Sequence, residues 1–378
     1  MPDRHHRRDP PTFDGDTGGL ERDAPWPMLG RGPTRQARSA IVAGPTRSTP
    51  SWARPFAEMK SPTIGANGSI YVTSGDGMLN ALDRDGMPRW TYPVSSGFGA
   101  TIGQDAVYAG GEKLVALDPM NGAPKWEHRF GTDAVGLPTV GGDGTIYVTV
   151  ADGYLYAIDP RAPPVMMKWR RRIGAPAVPD TQPAIAPDGT IYVCETPSPT
   201  PHLHHLHALS STTGAIRWSA PLTGDCDAPS IAIDGTIYVG TRNGDLHAIR
   251  PDGALRWIKQ VGPIAIGFDA VPVIGADGTV YVAAWTLGVI ALRGSDGEPR
   301  WTESFPNGGV SGIAIGGDGV LYVGTWDPGT VRALSPLGHE LWKHEIIGAN
   351  GCFAAPAIGA DGTVYIGCTD RRLYAFSP

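Results

Sequence analysis

Long apolar runs are missing from this sequence. No apolar stretch reaches 18 residues, so no helix is expected to span a membrane. Charge is sparse, 18% of residues with a formal net of −6, and no basic stripe stands out. Nucleic acid is therefore not an expected partner. Cysteine is rare, four in 378 residues, at spacings that suggest neither a disulfide framework nor a zinc site, and no metal ligand set is read from it. No Gly-x-Ser-x-Gly elbow occurs, and no cysteine has a recognisable catalytic partner, so no catalytic residue is assigned. The first 23 residues carry charge without the apolar centre of a secretory signal, which as written points to the cytoplasm.

Glycine (52) and proline (36) together make up about a quarter of the chain, close to the level of low-complexity sequences. Yet 41% of residues are hydrophobic and 11 are tryptophan, too many for a disordered chain. Many short strands joined by glycine-rich turns reconcile the two. A phrase of the form Asp-Gly-Thr-Ile/Val-Tyr-Val recurs, with tyrosine in a fixed place at Tyr71, Tyr108, Tyr147, Tyr192, Tyr238, Tyr281, Tyr322 and Tyr365. Seven intervals cover 294 residues, a mean of 42, which is the length of a four-stranded propeller blade. Apolar residues alternate within the unit, where a helical repeat would space them by three or four.

Each unit carries four pieces. A small-residue strand comes first, often opened by a proline nine residues before the tyrosine, as at Pro62, Pro138 and Pro356. An Asp-Gly turn and the tyrosine strand follow, a hairpin signal. A third strand reads Leu-x-Ala-Leu/Ile. The last piece is a tryptophan nine to twelve residues after that alanine: Trp90, Trp126, Trp169, Trp218, Trp257, Trp301 and Trp342. Six of these seven have a glycine four residues before them. The eighth alanine, Ala375, has no tryptophan after it, and Trp52 has no repeat before it. The two halves complete each other. The fold is therefore read as all-β, an eight-bladed β-propeller of four-stranded antiparallel blades closed by an N-terminal strand. All eight tryptophans are read as core, each lying flat between blades and capped by its own glycine turn. Residues 1–25 are expected to be a disordered tail, 26–45 to run extended along the propeller, and 46–378 to form the ring.

The phrase Ala81-Leu82-Asp83…Gly86…Trp90, repeated as Ala116-Leu117-Asp118…Gly122…Trp126, resembles the tryptophan-docking repeat of the quinoprotein-like (PQQ-binding-like) β-propeller family. The segment Trp26 to Arg31 is similar to the one that often precedes the first blade there. The resemblance covers about residues 26–378 and implies the fold. The group includes quinone-dependent dehydrogenases, BamB-like lipoproteins of outer-membrane assembly and bacterial propellers without established activity, and fold does not choose among them. For a quinone enzyme the resemblance implies adjacent cysteines, a calcium-ligating cluster of acids and amides, and a longer chain, none of which is seen. The non-catalytic branch is preferred and no cofactor is expected, with PQQ plus calcium as the alternative. The resemblance leans towards the periplasm or outer membrane.

Function is expected on the loops that share one axial face. Trp285 and Trp326 fall outside the repeat count and, with Phe98, Phe268 and Phe353, are read as an aromatic patch for a protein or peptide partner. Asp133, Asp180, Asp225, Asp227 and Asp269 form a candidate cation or ligand ring, set against ordinary solvated turns. In Pro201 to His207, His205 and His207 share one strand face and His204 the other, which brings no three histidines together. Cys352 should lie nearly opposite Cys368 in the last hairpin, as two thiols or a disulfide; a reducing cytoplasm favours thiols. The leading reading is a monomeric, non-catalytic binding scaffold. A quinone-dependent oxidoreductase and an envelope sensor or carbohydrate binder are the alternatives.

Overall fold

The Asp-Gly phrase forms the hairpin between the first two strands of most blades. Asp143 Oδ1 accepts the Thr145 N–H at 2.9 Å and Asp277 Oδ1 the Thr279 N–H at 3.0 Å, and the intervening glycines take φ of 81° and 76°. Such side-chain bonds to the backbone two residues on, with glycine in the left-handed region, make the turn local and repeatable. The computed structural model describes residues 19–378 except 22, 33, 43, 58–59, 96–98, 132–133, 162–164, 180, 196–203, 227, 263–270, 285–286, 306–308, 327 and 353. Among the described residues, 32 strands form eight four-stranded antiparallel sheets, the blades of a propeller. Blade 1, for example, comprises Thr63–Ile64, Ile70–Thr73, Met78–Leu82 and Pro88–Pro93.

The repeat's three marker residues face one another across three strands. Tyr71 lies opposite Ala81, and Ala81 opposite Trp90. The same row recurs in every blade, and in the last one Tyr365, Ala375 and Trp52 complete it. Alanine is required in the middle because the flanking rings meet over it. Their centroids lie 5.6–6.2 Å apart in all eight blades. A tilted aromatic pair of this kind contributes about 0.5–1.5 kcal/mol beyond its buried area. In seven blades the register shifts immediately after this alanine, so the outer strand is bulged where the row ends. Burial pushes the tyrosine hydroxyls up, to about 12 for Tyr71, Tyr108 and Tyr238.

The glycine that a tryptophan covers is not in its own blade. A Cβ at Gly122 would lie 2.6 Å from the ring of Trp90, one at Gly214 2.4 Å from Trp169, and one at Gly338 2.7 Å from Trp301. In six of the eight blades the indole thus lies on the turn of the next blade, which corrects the expectation that it is capped by its own. The indole N–H continues the link: Trp90 donates to the Pro119 carbonyl at 3.0 Å, Trp169 to Ser211 at 2.7 Å, Trp301 to Pro336 at 3.0 Å and Trp52 to Arg84 at 3.2 Å. Trp342 donates to Pro45 at 2.9 Å, just ahead of the closing strand Trp52–Pro55. Closure thus uses the docking contact that joins the other blades. Trp90, Trp169 and Trp342 are buried, whereas Trp52, Trp126, Trp218, Trp257 and Trp301 are only partly so, because the outer strands meet solvent.

The segment before the ring does not simply run alongside it. It crosses the end of the propeller that carries the Asp-Gly hairpins. Ile64 of blade 1 donates to Trp26 O at 2.7 Å and Ile102 of blade 2 to Pro27 O at 2.7 Å. Ile231 of blade 5 donates to Thr34 O and Ile315 of blade 7 to Ala37 O, both at 2.9 Å. Leu29 packs with Leu137 of blade 3 and Ala355 of blade 8, residues three blades apart that meet near the axis. Leu20, ahead of residue 26, is also buried and pairs with Gly103. The segment plugs one mouth of the central channel, and Arg31, Arg35 and Ala37 take left-handed φ of 69°, 56° and 49° to do so.

The docking contact makes a testable contrast between two glycines. Gly122 and Gly144 have similar φ of 71° and 81°, but a Cβ at Gly144 would meet nothing within 4 Å. Both alanine variants carry the backbone strain, and Gly122→Ala should cost a further ~1–3 kcal/mol for displacing the Trp90 ring. Urea unfolding of the two variants measures the difference; equal losses would mean that the indole does not rest on the next blade.

Candidate functional site

With one mouth plugged, the opposite end of the axis is left free by the described residues, and it carries the inter-blade and second-to-third-strand loops. Of the aromatic patch read from the sequence, only Trp326 is among the described residues; Trp285, Phe98, Phe268 and Phe353 lie outside them. Trp326 follows directly on the strand Leu321–Thr325 of blade 7, is partly exposed, takes the Gly309 carbonyl on its backbone N–H at 3.0 Å and bridges to Gly351 of the next inter-blade loop. Of the acidic ring, only Asp225 is described; Asp133, Asp180, Asp227 and Asp269 lie outside. Asp225 Oδ1 sits 2.9 Å from His204 Nδ1, so that oxygen faces an imidazole rather than an open coordination site.

All four cysteines are paired. Cys352–Cys368 joins the inter-blade loop to the second strand of blade 8 with Cα atoms 3.9 Å apart, and Cys194–Cys226 joins blade 4 to the loop that enters blade 5 with Cα atoms 5.8 Å apart. The first pair was legible from the register: Ile358 does face Val364, which brings Cys352 to Cys368. The expectation of thiols is corrected. The second pair was missed because 32 residues and a blade boundary separate its members. The available signal was that both cysteines fall at the same end of their blades, one closing a second strand and one in an inter-blade loop. Each disulfide fixes a loop of the free end to a rigid strand.

The Cys194–Cys226 bridge lies in a polar cluster. Glu195 Oε2 is 2.8 Å from His205 Nδ1, so a carboxylate–imidazole pair adjoins each cysteine in sequence. His205 stacks on His207 with centroids 5.8 Å apart, as strand alternation requires, and His207 Nδ1 meets Ser219 Oγ at 2.8 Å. His247 Nε2 meets Thr223 Oγ1 at 3.0 Å. Burial pulls His207 and His247 below the ordinary imidazole range, so they stay neutral hydrogen-bonding groups near pH 7. His204 points to the other strand face, and among the described residues no three histidine, cysteine or acidic side chains converge on a metal position. The cluster can orient loops and bind polar groups.

The axial channel is the place where a quinone with calcium would have to sit. The residues before the inner-strand prolines, Ser61, Leu137, Gln182, Ala228, Val271 and Ala355, are all buried. None carries a carboxylate, Gln182 is the one amide, and the Ala355 N–H donates to Ser61 Oγ across the neighbouring blades at 2.8 Å. The disulfides span 16 and 32 residues, not adjacent cysteines. These described residues do not fit the group, and no step is routed through it.

A sequence model of the family described as outer membrane protein assembly factor BamB matches residues 75–230, 167–264 and 242–378. Outer membrane protein assembly factor BamB of Yersinia pestis is 25% identical over 263 residues, 62% of this chain and 64% of that protein. Its counterpart from Moranella endobia (strain PCIT) is 22% identical over 271 residues, 64% and 66% of the two chains. The match thus spans less than two thirds of the length of either relative. Among solved structures, quinohemoprotein alcohol dehydrogenase from Comamonas testosteroni superposes with a TM-score of 0.73 at 17% identity over 93% of this chain and 80% of its own. BamB from Moraxella catarrhalis superposes with a TM-score of 0.67 at 19% identity over 87% and 99%. At these identities the likenesses show the fold alone.

The two disulfides generate the prediction for this face. Non-reducing peptide mapping should find Cys194 with Cys226 and Cys352 with Cys368, and replacing both members of the first pair by serine should cost about 2–4 kcal/mol. Free thiols in the folded protein made in an oxidising compartment, or a double serine variant of unchanged stability, would contradict the pairing.

Proposed function

The chain belongs to the family of outer membrane protein assembly factor BamB, and from that premise we propose that it is a non-catalytic β-propeller scaffold that takes up a protein or peptide partner on its free axial face. The observation that carries this reading is the asymmetry of the two ends. The chain's own residues 20–41 cover one mouth, while both disulfides stiffen the loops of the other. Loops held rigid before binding lose less entropy when a partner docks. Trp326 is proposed as a contact residue, with Trp285, Phe98, Phe268 and Phe353 as the rest of the aromatic surface. Aromatic side chains at the centre of an interface carry a large share of its binding energy. Asp225 and its acidic neighbours would set the polar rim.

Two disulfides also favour an oxidising compartment, since cytosolic thiols are kept reduced. We place the working protein in the cell envelope for that reason and because of its family. The dehydrogenase likenesses argue for the fold and not for a reaction, and no cofactor is assigned.

A photo-crosslinking residue tests the face directly. At position 326 it should give a discrete adduct with an envelope protein, and at Val42, an exposed residue of the plugged end, none. Equal labelling from both positions, or none from 326, would refute the assignment of the free face.

A further inference from the structure

Arg35 has no role in any contact described so far that explains its charge. It lies in the plugging segment, is completely buried, and adopts a left-handed backbone with φ of 56°. Its Nε donates to the Pro183 carbonyl of blade 4 at 3.2 Å, and Nη2 reaches Thr139 Oγ1 of blade 3 at 3.4 Å. Its own carbonyl accepts the Ser230 hydroxyl at 3.0 Å. Among the described residues, Nη1 has no hydrogen-bond partner and no carboxylate pairs with the guanidinium. The two residues directly before Pro183 share this condition: Thr181 Oγ1 and both polar atoms of Gln182 are buried and unpartnered.

Four unsatisfied polar atoms therefore belong to Arg35 and to the two residues that precede the carbonyl it binds. A few buried polar groups in any protein lack a partner, but they are scattered, and each cluster calls for a physical reason. A guanidinium taken out of water without a counter-charge is among the most costly burials available to a protein. Arginine also cannot escape by losing its proton near neutral pH: burial brings it down only to about 9. The charge stays, and among the described residues nothing neutralises it.

We propose that Arg35, together with Thr181 and Gln182, forms an internal site for a small monovalent anion, a halide or a carboxylate the size of formate or acetate, at the axis between blades 3 and 4. The charge is single, which matches one monovalent ion. All three residues are buried, which favours a small ion over larger oxyanions. The Arg35 Nη1–H, the Gln182 amide N–H and the Thr181 hydroxyl are the unpartnered donors that would hold it, leaving the Gln182 oxygen for a companion water. Because Arg35 belongs to the plugging segment and the other two to the ring, the ion would fasten the plug to the propeller. This inference is independent of what the free face binds.

The full chain is melted in sodium bromide, sodium formate and sodium gluconate at matched ionic strength, gluconate being too large to enter. The midpoint should rise with the logarithm of bromide or formate concentration, by roughly 5 °C over the two decades above the dissociation constant, and stay flat in gluconate. Bromide alone acting identifies a halide site, and formate alone a carboxylate site. Arg35→Met, which removes the charge but keeps the bulk, should abolish the anion dependence. Should that variant not fold, an anomalous bromide peak beside Arg35 Nη1 in crystals of the unaltered protein serves instead. A midpoint indifferent to the anion, a dependence that survives in Arg35→Met, or a bromide-dependent midpoint without a peak at Nη1 would overturn the site.

Discussion

An indole ring laid on a neighbour's glycine turn is the contact on which the rest of this structure depends. Within a blade, the tryptophan reaches over an alanine to a tyrosine and ties the outer strand to the second. Between blades, the same ring covers a residue that cannot carry a side chain, and its N–H takes a carbonyl that would otherwise face solvent. One residue type thus does two jobs at right angles, and the repeat needs no long-range instruction beyond its spacing. The small size of the alanine and the absence of a Cβ on the glycine are conditions of the contact, which is why both recur in register.

The same contact explains how the ring shuts. Trp342 finds its carbonyl at Pro45, and the strand that follows supplies Trp52 to the final blade, opposite Ala375. Joining residues roughly 320 positions apart costs only about 2 kcal/mol more than joining two within one repeat, since loop entropy grows with the logarithm of length. In return the first and last blades gain a neighbour each and no sheet edge is left between them. The segment ahead of the strand then lies across one mouth and fixes which face is free. Closure and the polarity of the molecule are in this sense one event.

The blades were legible because each marker residue answers to a local rule: Asp-Gly for a hairpin, alanine under two rings, proline at an inner-strand start. Which glycine a tryptophan covers was not legible, because spacing along the chain cannot tell a residue's own turn from the next one. The partners of the plugging segment were not legible for a related reason. Trp26, Leu29 and Arg35 have no periodicity, and their partners are distributed over the whole ring. Cys352 and Cys368 could be paired by register inside one hairpin, whereas Cys194 and Cys226 lie across a blade boundary. Of the candidate surface, Trp326 and Asp225 can be placed in three dimensions, and the aspartate is already engaged by His204.

If the docking relay is what holds the ring, the first strand and the plug should be inseparable from global stability. Equilibrium urea unfolding of the chain lacking residues 1–56, compared with the full chain, measures this directly. The expected result is a loss of the single cooperative transition or a large drop in its midpoint, with recovery when a peptide spanning residues 19–56 is added. An unchanged midpoint in a folded, soluble truncated protein would contradict closure through Trp342, Pro45 and Trp52.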